Sequence, residues 1–431
     1  VLSGTYRTPS DTPNRPVTPR FTRHAAILIR MADQRRTPGS QTSLREANRG
    51  RIVDAVKKHG GLTQVELAGA TGLSPATVSN IVKELSESGV LSTSKSMRSG
   101  RRAQYVTLAH ATGLVCGIHF SQRQLRVALA DTSLTVVSEH EMPLARDHRS
   151  DNEIRRVGML LADMLDTVSA DRDELLAVGV AMSAPMDASS GMVARPGIMR
   201  GWEGLAIGEA VERVLRVPVA IDNSSNLSAL AEHRLGALRG QDEAMFLEAS
   251  DGIGAGIMVG GRAYRGASGG AGEFGHMVIR ENGPLCRCGN LGCLETVAGG
   301  DAIVDGLKSR ISGIKLSDVI VRAMAGDDVC IRAIADAGSH IGVAAANVVS
   351  IFDPARIVVG GQLARAGELL LGPIRQVVER SLASRLAPAP EIVASQLGPR
   401  AALVGALSLA ADHSSAFPAG ATSADLRVAL G

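Results

Sequence analysis

At 431 residues the chain is too long for one ordinary core, so two or three domains are expected. With 45% hydrophobic residues, 48 glycines and 2% aromatics, the composition suits a cytoplasmic α/β protein and excludes a fibre or a large disordered array. The net charge of +3 hides an asymmetry: residues 1–110 carry 17 Lys/Arg against 7 Asp/Glu, and the remainder carries 29 against 36. A basic front end on an acidic body suits contact with a polyanion at the front; a merely solvated basic surface is the alternative.

No run of about 18 apolar residues is present, so no membrane span is expected. The short stretch from His24 to Met31 is followed by Arg35 and Arg36 without a small-residue cleavage site, unlike a secretory signal. The chain opens on Val1, and Met31 is a candidate translation start. Residues 1–40 are rich in Pro, Thr, Ser and Arg without a period and read as a disordered arm.

A winged helix-turn-helix is predicted over 44–110. From Leu44 to His59 a helical period puts Ile52, Val53 and Val56 on one face, and Gly60 and Gly61 stop it. A short helix follows from Gln64 to Ala70. Ser74 and Pro75 then supply an N-cap and a first-turn proline. Val78, Ile81, Val82 and Leu85 form one buried stripe in the next helix, which ends near Gly89. Thr77, Ser79, Asn80 and Lys83 are left outward. These four are the residues expected to enter a major groove, with Asn80 able to address an adenine edge. Two β-prone pieces, Val90–Thr93 and Gln104–Leu108, flank a loop with Lys95, Arg98, Arg101 and Arg102, the form of a wing. Arg98, Arg101 and Arg102 would reach phosphates or a narrow minor groove. A small helical bundle for protein contacts also has three short helices, but cap, stripe, wing and charge together favour double-stranded DNA.

Beyond Thr112 the texture changes to glycine-punctuated strands and long helices. Strand pairs at Leu114–Phe120 with Leu125–Asp131, and at Ala244–Glu248 with Gly256–Val259, lie about 130 residues apart. That spacing suggests two related lobes of one α/β domain with a ligand cleft between them, over 113–411, followed by a tail at 412–431.

His276, Cys286, Cys288 and Cys293 make one imidazole and three thiols, a closed tetrahedral set that suits structural Zn2+. Unligated thiols in a glycine-rich loop are the alternative. Cys116 and Cys330 read as small core residues.

The segment Gly266-Ala-Ser-Gly-Gly-Ala-Gly-Glu-Phe-Gly-His276, followed by Cys286-Arg-Cys-Gly-Asn-Leu-Gly-Cys-Leu-Glu295, resembles the signature of the ROK family (repressors, open reading frames, kinases). The likeness runs from about Leu44 to Ala411 and includes the Leu44-Arg-Glu-Ala-Asn-Arg run of the family's regulators, in their xylose-repressor-like branch. It implies a bilobed actin-like ATPase and hexokinase-type fold, a homodimer or dimer of dimers, and a zinc-stabilised site for a monosaccharide or sugar phosphate. Carried over by position, Asn223, Glu273, His276 and Glu295 would contact sugar hydroxyls. Without the flanking signature, Glu273 and Glu295 would read as ordinary surface or capping carboxylates.

The resemblance also marks three departures from the family's kinases. An Asp-x-Gly-Gly-Thr phosphate turn is here His119-Phe-Ser-Gln-Arg123. An Asn-Asp-Ala-Asn run that carries the catalytic base is here Asn223-Ser-Ser-Asn226, with Ser224 in place of the aspartate. A second Gly-Thr-Gly-Ile-Gly loop reads Ser250-Asp251-Gly252-Ile253-Gly254. A serine hydroxyl is no base near neutral pH, and loss of a general base alone costs about 10² to 10⁴ in rate. The expectation is a sugar-responsive repressor with no enzyme activity. Its rivals are an active ATP-dependent sugar kinase with an added DNA-binding module, and a regulator that reads a partner protein.

Overall fold

A computed structural model describes residues 41–59, 62–87, 90–98, 101–108, 113–131, 134–145, 148–187, 189–194, 198–382 and 388–414. The expected arm at 1–40 and the end of the tail, 415–431, lie outside the described residues.

The amino-terminal module is built from α1 (Gln41–His59), β1 (Leu62–Thr63), α2 (Gln64–Thr71), α3 (Pro75–Glu87), β2 (Leu91–Arg98) and β3 (Arg101–Leu108). Thr63 and Glu66 form a reciprocal capping box at the start of α2. Gly72, at φ +68°, closes α2 in the left-handed conformation that glycine adopts without strain. At α3, the Ser74 hydroxyl accepts from the Thr77 amide at 3.2 Å, the cap the sequence announced. The stripe Val78, Ile81, Val82 and Leu85 is buried with Ile52, Val53, Val56, Leu67, Leu91 and Val106 in one small core.

The wing departs from expectation. Its strands run on through the positions read as loop, with Arg98 opposite Arg101 and Met97 opposite Arg102, so the basic residues sit on the ladder itself. An antiparallel ribbon gains a pair of cross-strand hydrogen bonds at every second opposed pair, which extends the strands past the β-prone pieces. The side chains of Arg98, Arg101 and Arg102 lie outside the described residues.

The larger region has two five-stranded sheets of identical order. The first contains β4 (Leu114–Phe120), β5 (Gln124–Asp131), β6 (Val136–Pro143), β7 (Leu175–Met182) and β8 (Val219–Asn223), arranged β6-β5-β4-β7-β8. The second contains β9 (Ala244–Ala249), β10 (Ile253–Val259), β11 (Arg262–Tyr264), β12 (Arg356–Gly360) and β13 (Glu391–Ala394), arranged β11-β10-β9-β12-β13. Each begins with antiparallel strands and continues with parallel ones, so the two strand pairs noticed in the sequence are equivalent parts of two lobes.

Helices α4 (Ser150–Thr167) and α5 (Ile207–Leu215) cover one face of the first sheet. The second lobe is covered by α7 (Glu295–Ala298), α8 (Gly300–Leu307), α9 (Leu316–Met324), α10 (Asp328–Phe352) and α11 (Glu368–Ser381). At 25 residues α10 is long and apolar enough to span a bilayer, but Ile334, Ile341, Ala345 and Val349 bury it in the lobe core against α11. Cys116 and Cys330 are fully buried, as expected of small core residues.

Two helices, α6 (Ser224–Leu235) and α12 (Ala401–His413), lie between the sheets. Leu227 packs with Ala181, Ala402 and Ala406, whereas Ala229 packs with Phe246 and Met258 of the second sheet. The approach of α12 to the first sheet is close. A Cβ on Gly179 would stand 1.9 Å from the Ala406 carbonyl oxygen, so any side chain there would push the helix away. The same two helices therefore pack against both sheets.

Candidate functional site

The loop that carries the histidine–cysteine cluster is assembled on β10. Ala255 donates to the Gly272 carbonyl at 3.0 Å, and a Cβ on Gly272 (φ +87°) would meet the Ala255 oxygen at 2.2 Å. Glycine thus lets the 266–276 segment lie flat on the strand before a short turn, Phe274–His276, buries Phe274 and sets His276 beside the cysteines. Backbone pairing of Val278 with Cys293 and of Leu285 with Leu291 closes the following loop.

As a result the donor atoms of His276, Cys286, Cys288 and Cys293 all lie within 4.8 Å of one another. Cys286 Sγ is 3.4 Å from His276 Nδ1, and Cys288 Sγ is 3.6 Å from Cys293 Sγ. A tetrahedron with metal–sulfur bonds of about 2.3 Å has edges of about 3.7 Å, so the two short separations are of the size a four-coordinate metal requires. Burial pushes the Cys293 thiol up to about 12, and a bound cation would reverse that shift by favouring thiolate. Because Nδ1 faces the sulfurs, His276 Nε2 is the nitrogen turned outward, 3.9 Å from Glu273 Oε2.

The four residues assigned to a sugar are spread over both lobes. Glu295 opens α7, where its carboxylate accepts from the Ile253 amide at 3.2 Å and from Arg287 Nη2 at 2.9 Å. A Cβ at residue 252 would stand 2.4 Å from that carboxylate, which explains the glycine there. Asn223 is already engaged as the cap of α6: its Oδ1 accepts from Ser225 at 2.8 Å and Asn226 at 3.4 Å, and its Nδ2 donates to the Ala184 carbonyl at 2.9 Å. One amide N–H is left for another partner. Sequence reading missed Arg287, since its pairing with Glu295 requires the loop of the histidine–cysteine cluster to fold back.

At the positions expected to depart from kinase motifs, His119 Nε2 lies 3.2 Å from the Ser183 hydroxyl, and that hydroxyl donates to Ser224 at 3.2 Å. Burial, with the nearby Arg126 charge, lowers His119 to about 3, so it is a neutral imidazole at pH 7. Asp251 is not a bare negative charge: Arg123 Nε is 3.0 Å from its Oδ2. Glu248 is half-buried, its carboxyl pushed up by desolvation and pulled back in part by the Ser250 hydroxyl.

On the helix-turn-helix, Ser79, Asn80 and Lys83 are exposed on α3, with Lys83 3.9 Å from Glu87. Thr77 is half-buried and occupied in the cap, its hydroxyl 2.8 Å from that of Ser74. Thr77, Asn80 and Lys83 share a groove of about 580 Å³ with Arg45 and Asn48 of α1. Those two lie in the Leu44–Arg49 run but were not singled out, because residues on different helices meet only once the helices cross.

A winged helix-turn-helix in front of two lobes that share one topology, with a histidine–cysteine cluster in the cleft region, defines a DNA-binding module joined to a sugar-kinase-like domain. Residues 115–413 match the ROK family model and residues 45–92 the winged helix-turn-helix DNA-binding model. The chain belongs to the ROK family, and its build resembles that of the family's transcriptional regulators. It is 27% identical over 379 residues to the xylose repressor of Bacillus subtilis (strain 168), covering 86% of this chain and 97% of that protein. A ROK family transcriptional regulator described as a homologue of the Escherichia coli MLC protein superposes with a TM-score of 0.69 at 24% identity, covering 85% of this chain and 96% of that one. The ROK glucokinase of Streptomyces griseus, solved with glucose and AMPPNP, superposes with a TM-score of 0.64 at 28% identity over 70% of this chain and 100% of that one.

Proposed function

We propose that this chain is a cytoplasmic, sugar-responsive DNA-binding repressor of carbohydrate uptake or catabolic genes, whose kinase-like domain no longer transfers phosphoryl groups. The observation that carries this reading is the hydroxyl of Ser224, which accepts from Ser183, itself paired with a neutral His119, at the position where a kinase of this family needs a carboxylate base. A hydroxyl in that setting can donate or accept a hydrogen bond but cannot remove a proton at neutral pH. The likeness to a xylose repressor supports the regulatory half of the reading.

In this reading Thr77, Ser79, Asn80 and Lys83 face the major groove of double-stranded operator DNA, and Arg98, Arg101 and Arg102 hold the backbone or minor groove. Glu273, Glu295, His276 and the remaining N–H of Asn223 hold a monosaccharide or sugar phosphate. His276, Cys286, Cys288 and Cys293 would hold a structural Zn2+, whose role is to fix the loop that presents Arg287 and His276. The domain limits are 44–110 for the DNA reader and 113–411 for the sensor. A homodimer, or a dimer of dimers, would present two readers, and a change in lobe angle would alter their spacing against the half-sites.

The test is twofold. Purified protein given ATP, magnesium and a panel of hexoses and pentoses is expected to show no turnover, and calorimetry with the same panel is expected to show heat that Glu273→Ala abolishes. Turnover at ordinary kinase rates of about 1 to 100 s⁻¹ would establish the rival reading of a kinase with an added DNA-binding module. Absence of heat with every sugar and sugar phosphate would favour a regulator that reads a partner protein.

A further inference from the structure

The turn between β4 and β5 belongs to the first lobe, yet two of its side chains end on the second. Arg123 reaches across with Nε 3.0 Å from Asp251 Oδ2 and with Nη2 donating to Asp301 Oδ1 at 2.6 Å. Beside it, Gln122, with its amide oxygen turned toward the second lobe, accepts from Nη1 of Arg287 and from Nη2 at 3.2 Å. The turn that offers these groups is braced: Ser121 donates its amide to the Gln124 carbonyl at 2.9 Å, and its hydroxyl accepts from the Gln124 amide at 3.0 Å.

The receiving side is also prepared. Gly300 donates to the Ser250 carbonyl at 2.8 Å and Asp301 to the Asp251 carbonyl at 3.2 Å, which sets the β9–β10 turn against the start of α8. Two carboxylates held on adjoining segments repel unless a cation stands between them. Arg123 is that cation, and its fork can address both.

These are the two segments in which this chain departs from the phosphate loops of kinases, one having gained a positive and the other a negative side chain. Loops built to face an anion from two sides attract each other only through that anion. Here the opposite charges attract directly. We infer that the Ser121–Gln124 turn is an inter-lobe latch that holds the cleft together without nucleotide, through Arg123 on Asp251 and Asp301 and through Gln122 on Arg287. The inference rests on the bilobed fold and not on the sugar reading. The latch lies one contact from Glu295, because Arg287 serves both Gln122 and Glu295.

The experiment is amide hydrogen exchange on the full-length protein without sugar, nucleotide or DNA. Arg123→Met is expected to speed exchange on both sides of the cleft, in residues 121–124 and in 250–252 with 299–303, by roughly three- to tenfold, the scale of a half-exposed ion-pair network. Raising salt should do the same to the unaltered protein, since the charges are partly exposed. The charge exchange Arg123→Asp with Asp251→Arg should restore slow exchange on both sides. Unchanged exchange in Arg123→Met, or acceleration confined to 121–124, would overturn the latch. If the exchanged pair melts well below the unaltered protein, Asp301→Asn replaces it, and exchange at 121–124 identical to that of the unaltered protein counts against the proposal.

Discussion

Ser224 accepts a hydrogen bond from Ser183 at 3.2 Å, in the first turn of the helix that separates the two lobes. Ser183 in turn meets His119, so two of the positions expected to differ from the kinase motifs are joined through one hydroxyl. A carboxylate at 224 would be placed against a serine already committed to a half-buried, neutral imidazole.

Ser224→Asp is therefore expected to leave phosphoryl transfer undetectable with ATP, magnesium and any monosaccharide, because the phosphate turn and Asp251 remain altered. The base accounts for only about 10² to 10⁴ of the rate. Coupled-assay turnover of the variant near the rate of working kinases would show that Ser224 alone separates this chain from catalysis.

His119 makes a pH prediction with a definite sign. Its value falls from 6.5 to about 3 in the fold, so the unfolded chain binds the proton that the folded chain refuses. The stability it contributes is complete above about pH 6.5 and declines as pH drops toward 3, by up to about 1.4 kcal/mol per unit. Denaturant titrations between pH 7 and 4 should show a slope shallower by about one proton in His119→Gln. Glu248, whose raised value acts with the opposite sign, is common to both proteins and cancels in the comparison. Identical slopes would mean that His119 is solvated.

Removing one thiol tests the cluster. Cys288→Ser is expected to lose the bound metal equivalent measured by atomic emission and to melt at a lower temperature, by about 1.5 °C per kcal/mol lost for a domain of about 300 residues. The remaining donors, His276, Cys286 and Cys293, sit within 4.8 Å, and the two thiols would be left mutually repulsive as thiolates or buried as neutral thiols. Purified protein with no stoichiometric metal and a melting point indifferent to strong chelators would remove the structural ion from the reading.

On the DNA side, replacing Arg101 and Arg102 with alanine is expected to weaken binding to all sequences and to lower the slope of log affinity against log salt by about 1 to 2. Asn80→Ala should instead reduce discrimination at one base pair by about 1–3 kcal/mol and leave the slope intact. Fluorescence anisotropy over a salt series separates the two. An unaltered slope in the arginine variant would show that the wing does not touch the backbone.

The sequence by itself determined what is local. Ser74 announced its cap, Val78 to Leu85 announced their stripe, and four metal donors within 18 residues needed only one loop to meet. Periodicity and short spacing are properties of neighbouring residues, so they survive without a fold. The tertiary structure decided what depends on distant segments approaching. Arg123 meets partners 128 and 178 residues away, Arg287 takes hold of Glu295 only once its loop turns back, and Asn223 is mostly consumed as a helix cap. Charge and hydrogen-bond partners are chosen by position in space, and a list of residues records only their order along the chain.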